Sequence, residues 1–350
     1  MIRHRPLRYR DIPECARIVA THPALGPRYG DTIRELPGVW RRLLDDEWAF
    51  TSAVFEETEG TEVRIHGVGI SVFVTDEFFR AAKTPPFFWL GPELTRRIAE
   101  GRSPVLTEKQ LCEANSRDGL NVVIWQSGVH PDDVKRAESW EVGVNAFLEN
   151  HRGFRLNELI VQAESPEHFI GMLNAGNLLY GDSDGSYRDS RQLDPQRAVM
   201  EPHLTGLTRE TASRQIGSWI STLFLYRPPH LGFSRSEQRL LWAALHGRTD
   251  EELSDALCIS QSAVKKTWRA IYTRVTDRMP ELIPNRLSEE ALTQDRGREK
   301  KRRLVAYLRE HYEELRPISR KLLQREAAWK RPSTVPKPTF MRDVMRYPKS

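Results

Sequence analysis

Between Phe233 and Val275 the chain carries three helix starts in quick succession, and that spacing restricts it to a short-turned helical module. Ser234, Thr249 and Ser260 are all good N-cap residues. Glu237 and Glu252 stand three residues after the first two, where an acid reaches back to close a capping box. Leu240, Leu241, Ala244 and Leu245 give the first helix an apolar stripe, and Gly247 follows as a stop. Leu253, Ala256 and Leu257 are the expected buried face of the second helix, with Ile259 pinning the turn after it. In the third helix Val264, Trp268, Ile271 and Val275 share one face and are expected to pack inward. Ser262, Lys265, Lys266, Arg269 and Thr273 lie on the opposite side.

Charge gives that opposite side a direction. Gln261 to Val275 holds four basic residues and no acid, whereas the preceding helix carries Asp250, Glu251, Glu252 and Asp255. A packed hairpin explains the apolar periods by itself. A helix stripped of acids also suits a phosphate-lined major groove, where carboxylates would be repelled. Lys and Arg can meet phosphates or guanine edges, small polar residues allow close approach, and first-turn N–H groups can hold a phosphate.

These residues resemble the LuxR/GerE-type helix-turn-helix. The matching positions are Glu237, Gly247, Glu252, Leu253, Leu257, Ile259, Ser260, Val264, Lys265 and Ile271. Ala263 stands where Thr is usual, Thr267 where His is common, and Trp268 where a smaller aliphatic is usual. The resemblance implies a regulator that binds double-stranded DNA, with Lys265 touching the backbone or a base edge; Ser262, Lys266, Arg269 and Thr273 are expected contacts from their place on the same face. Val264, Trp268, Ile271, Leu253 and Leu257 would position the helix. It also implies a homodimer on paired half-sites.

The region before Pro228-Pro229 reads as mixed α and β. Expected strands are 5–10, 49–55, 63–75, 120–126, 156–163 and 220–226, with a hairpin turn at 56–61. Expected helices are one capped by Asp11, one over 32–44 interrupted at Pro37-Gly38, 132–150 and 166–178; residues 84–104 read as irregular with one short helix. This order is similar to GNAT-type N-acetyltransferases, and LRYRDIPECARIV, NVVIWQSGVHPDD and RLNELIVQAESPEHFIGML have their local texture. The resemblance implies an α+β domain, a GNAT-like mixed sheet with helices. Such enzymes hold the cofactor pyrophosphate on a glycine-rich helix start. Here Asp132-Asp-Val-Lys-Arg-Ala-Glu-Ser-Trp140 has no glycine and brings two acids towards an anion. No catalytic residue and no cofactor are therefore expected, and the domain reads as one for sensing, dimerising or partner contact. The alternative is a degenerate or unconventional acyltransferase whose helical module mediates partner contacts. A third reading is a nucleoid-type binder without sequence preference.

Other chemistries find less support. Asp45-Asp46 precedes a strand, so the acids of a phosphorelay receiver are missing. His130 and His151 stand alone, and Asp182-Ser-Asp-Gly185 lacks the downstream Glu of a calcium loop, so no metal is expected. Cys15, Cys112 and Cys258 are far apart and fit reduced thiols in a cytoplasmic protein. No apolar run approaches membrane length, and no membrane partner is expected.

Of a net charge of +5, residues 296–350 hold 17 of the 53 basic and 6 of the 48 acidic residues, leaving 36 against 42 for the rest. The expected division is 1–229 as a sensor or interaction domain open to a small-molecule or protein effector, 230–285 as the DNA-binding domain, 286–331 as a charged helical extension, and 332–350 as a basic flexible tail. In the extension, Leu304, Tyr307, Leu308, Tyr312 and Leu315 form a stripe that either packs on its own domain or pairs two chains. In the second case Lys300 to Arg303 would lie on flanking phosphates.

Overall fold

The computed structural model describes residues 1–319 apart from 47, 60–61, 131–132, 134–136, 182–186, 190–192, 216 and 284–292. The expected flexible tail, the Asp182–Gly185 loop, the tip of the 56–61 turn and Asp132 lie outside the described residues. No described helix is long and apolar enough to cross a membrane.

The chain is mixed α/β. It opens with β1 (Arg3–Arg5), α1 (Ile12–Thr21), α2 (Leu25–Tyr29) and α3 (Leu36–Asp45). The long hairpin β2 (Phe50–Glu59) and β3 (Glu62–Val74) follows. Three helices, α4 (Asp76–Lys83), α5 (Leu90–Ala99) and α6 (Glu108–Ser116), lead to β4 (Leu120–Gln126). Strands and helices then alternate: α7 (Ala137–His151), β5 (Leu156–Val161), α8 (Pro166–Asn174), β6 (Leu178–Tyr180), β7 (Tyr187–Arg188), α9 (Pro195–Met200), β8 (Thr205–Thr208) and α10 (Arg209–Arg214). One eight-stranded sheet results, in the order β1-β2-β3-β4-β5-β8-β6-β7. Among the described residues only the central pair β4–β5 is parallel.

Alternation along the strands divides the core. Val123 and Trp125 face a cluster with α1, α3 and α5, while Leu120 and Val122 face a second cluster with Leu159, Leu207 and Leu223. Both faces of the centre are thus covered, as a parallel pair requires.

Several expectations are corrected. The first strand stops at Arg5 because Pro6 has no N–H to offer the ladder. Asp11 does not cap α1 with its side chain; it accepts the Arg8 N–H at 2.8 Å and pairs with Arg5. Pro37 sits in the first turn of α3 and starts it rather than interrupting a helix. Residues 84–104 contain the ten-residue α5, more helix than expected. α8 ends by Asn174, since Gly176 takes φ +107°, and Leu178 already pairs in β6. The expected strand at 220–226 is a 3-10 turn over Ile220–Phe224, whose Ile220, Leu223 and Phe224 bury at helical spacing. The ladder beside β5 belongs to β8 instead.

Beyond the proline pair lie α11 (Arg235–Ala244), α12 (Asp250–Leu257), α13 (Gln261–Arg278) and α14 (Thr293–Glu310). They share one core with Leu304, Leu308 and Leu315, so the stripe on α14 packs on its own module and is used up there. Gly297 lies inside α14 and does not break it.

Candidate nucleic-acid interface

The module is built from its caps. Ser234 and Glu237 close a capping box on α11, Thr249 and Glu252 close one on α12, and Ser260 Oγ accepts the Ala263 N–H at 3.2 Å to start α13. Between α12 and α13 the turn is only Cys258–Ser260. Cys258 takes φ 52°, ψ 44°, which lets its N–H and that of Ile259 return to carbonyls of α12. Glu237 is buried. Burial alone would raise its pKa, but the Ser234 N–H and Arg274 outweigh that and hold it below the ordinary carboxylate value.

Leu253, Val264, Ile271 and Val275 are fully enclosed and Trp268 is 5 % exposed. Leu257 is half-buried. Ala256 is exposed, contrary to expectation, and Ile259 is 36 % exposed rather than pinned beneath the turn, because the αL residue swings it outward. Ser262, Lys265, Lys266, Arg269 and Thr273 all lie exposed along one side of α13. Among the described residues neither Lys265, Lys266 nor Arg269 has an ion pair. Two of the four acids of α12 are engaged elsewhere: Glu252 closes its cap and Asp250 faces Lys301 at 3.4 Å. From Ser262 to Thr273 the face is therefore cationic, with its three basic side chains outside any ion pair among the described residues.

No family model, curated protein or solved structure matches the chain. Its chemistry rests on its own geometry.

The expected phosphate cluster on α14 is corrected in part. Lys301 donates to the Arg248 carbonyl at 3.0 Å and lies over the Trp268 ring, 5.3 Å from its centroid. Arg302 and Arg303 pair with Glu299. In the front domain Asp133 does not face an incoming anion: it is buried, with His66 Nδ1 at 2.7 Å and Arg64 at 3.4 Å. His151 is a core residue bonded to the Phe147 carbonyl at 2.7 Å. No group of three metal-ligating side chains occurs among the described residues. Burial raises the Cys112 thiol, which argues against a reactive thiolate.

What sequence reasoning missed is the strap that fixes the module to the sheet domain. Residues 311–319 run between them. Glu314 accepts the N–H groups of His230 and Leu231, Asn115 Nδ2 donates to the Pro317 carbonyl at 2.9 Å, and Ser319 N–H donates to Ser116. Arg316, 6 % exposed, reaches the carbonyls of Arg152 and Glu149 at 2.7 and 2.5 Å. Arg235 of α11 pairs with Glu108 of α6. These partners are far apart in sequence and have no local signature.

A titratable link joins the two parts. His246, after α11, lies 3.4 Å from Glu149 at the end of α7, which also faces His4 at 3.2 Å. The Glu149 carboxylate raises the His246 pKa above 6.5, against burial and the nearby Arg248. Burial would raise Glu149, but the two imidazoles outweigh it and hold Glu149 at about 2. A raised imidazole pKa contributes stability fully present below 6.5 and lost as pH rises through the folded value. The depressed carboxylate contributes above 4.5 and fails as pH falls. The loss of urea midpoint caused by His246→Gln, read against the wild type at each pH, should therefore be larger at about pH 6 than at about pH 8. Parallel curves would remove the link.

Proposed function

We propose that this chain is a DNA-binding transcription regulator that reads the major groove with α13. The observation that carries the reading is the exposed side of α13, with Ser262, Lys265, Lys266, Arg269 and Thr273 and no acid before Asp277 near the far end of the helix. The three-residue turn before it and the Ser260 cap support it, since they leave the first-turn N–H groups at one end of the cationic stripe. Two such modules in a homodimer would address paired half-sites. We read the sheet domain as GNAT-like, supported by the element order β1, helices, the β2–β3 hairpin, then β4-α7-β5-α8-β6. Its part in the proposal is to alter operator affinity through the strap.

The experiment is retention of pooled random duplexes by the full-length chain at near-physiological salt, followed by sequencing. A palindromic motif supports the regulator; retention without enrichment means a non-specific binder. Loss of all retention, with or without added effectors, rejects the DNA reading and returns the acyltransferase alternative. On any duplex that binds, Lys265→Ala should weaken affinity and lower the slope of log affinity against log salt by about one phosphate contact. An unchanged slope removes Lys265 from the backbone contacts.

A further inference from the structure

The sheet face that carries Ile124, Gln126, Leu159 and Val161 is roofed by α7 and α8, and the roof leaves a cavity of about 310 Å³. Ligand pockets run from roughly 300 to 1,000 Å³, so this volume suits a small molecule. Phe55, Val144, Phe147 and Met172 make most of its wall apolar, and no Asp, Glu, Lys or Arg lines it among the described residues. Its two histidines, His151 and His168, are pushed down to about 4 by burial and are neutral at pH 7. His168 packs against Trp140 across the two roof helices, ring centroids 5.8 Å apart.

Polar atoms without partners gather on this wall. Both amide atoms of Gln126, the hydroxyl of Ser139 and Oδ1 of Asn177 are buried and unbonded among the described residues. Gln126 and Ser139 are each 1 % exposed and Asn177 is 5 % exposed. Folded chains pair nearly all such groups, and three unpaired residues round one cavity point to something absent from it. Gln126 belongs to this face by alternation: it lies with Ile124, whereas Trp125 turns to the other side and bonds Tyr29. Strand register separates the polar groups into two places. Leu178 is level with Ile160 through Gly206, so Asn177 is level with Leu159 and hence with Val122. That puts Asn177 about 13 Å from Gln126 along the strands, at ~3.3 Å per residue.

We propose that this cavity binds a neutral small molecule with an apolar body and hydrogen-bonding groups at two places. An amide, or a carbonyl beside a hydroxyl, would meet Gln126 and Ser139. An N–H or O–H would meet Asn177 Oδ1. The site is read without reference to DNA; only its consequence rests on the proposed function. That consequence follows from α7, which lines the cavity with Ser139, Gly143 and Phe147 and ends at the Glu149 carbonyl held by Arg316.

The test uses the full chain and two fluorescent probes, neutral N-phenyl-1-naphthylamine and anionic 8-anilinonaphthalene-1-sulfonate. The neutral probe should bind saturably, once per chain, and the anion should bind at least about tenfold more weakly, since burying its charge here has no cation to offset it. A Cβ at Gly143 would meet only the Phe55 ring edge at 3.9 Å. Gly143→Leu should therefore fold, with unreduced thermal stability, and weaken the neutral probe at least about tenfold by filling the cavity. Gly143→Ala should keep binding. Absence of saturable binding to the wild type, equal binding of the anion, or undiminished binding to folded Gly143→Leu each overturns the proposal. None of these readouts depends on DNA, so the site and the DNA reading fail separately.

Discussion

Replacing Trp268 by Ala should destabilise the carboxyl-terminal module by about 3–4 kcal/mol, the usual cost of emptying a buried aromatic site. The ring is held on several sides. It stacks on Tyr272 with centroids 5.5 Å apart and planes 20° from parallel, and the Lys301 ammonium stands above it. It belongs to the same core as Leu253, Val264, Ile271 and Leu304, so its loss opens space between α13 and α14. The indole N–H has no partner among the described residues, so no hydrogen bond seen there must be preserved by a substitution. Trp268→Phe should therefore cost far less than Trp268→Ala, since it removes an unpaired buried donor along with some packing. Urea unfolding followed by far-ultraviolet circular dichroism measures both. A loss below about 1 kcal/mol for Trp268→Ala would mean that α13 is positioned by its aliphatic neighbours alone. Trp268→Phe should keep duplex binding if the exposed side of α13 is what meets DNA.

Local signals made the module legible and distant ones did not. Ser234–Glu237 and Thr249–Glu252 close their boxes within four residues, so their chemistry is written into a short window. Strand β4 was readable for the same reason: an apolar run between Gly119 and Ser127 with no competing period. Ile220–Phe224 misled because its residues are β-formers, while its place was decided by β8, which took the edge of β5 first. Ile259 misled because the outward turn depends on one left-handed residue, Cys258, that is neither Gly nor Asn. Lys301 looked like a phosphate contact because its neighbours are basic; its true partners, Arg248 and Asp250, lie some fifty residues earlier. The cavity was illegible for a further reason. Its polar atoms come from β4, α7 and the start of β6, and nothing in the sequence says that they converge.

Arg316→Met should uncouple the two halves of the molecule while leaving each folded. The guanidinium donates to the carbonyls of Arg152 and Glu149, and its plane lies over Phe154 at 4.5 Å and Trp242 at 4.7 Å. Phe154 belongs to the sheet domain and Trp242 to α11, so one side chain touches both cores and the end of α7. Burial draws its pKa down to about 9, which still leaves it charged at pH 7. Met would keep an apolar stem against the rings but leave two buried carbonyls without donors, at about 1–3 kcal/mol each. Part of that is returned because no charge need then be buried, so the net loss should be on the order of 2–3 kcal/mol. The strap also holds through Glu314 and Asn115, which is why unfolding should split rather than collapse. A single thermal transition in the wild type should become two. Amide exchange should rise at 149–153 and 312–317 and stay low along α13. Arg316→Lys should fall between, since an ammonium is a point donor and cannot span two carbonyls as a planar fork does. One unshifted transition in Arg316→Met would place the coupling in the remaining strap contacts and leave α7 without its hold on the module.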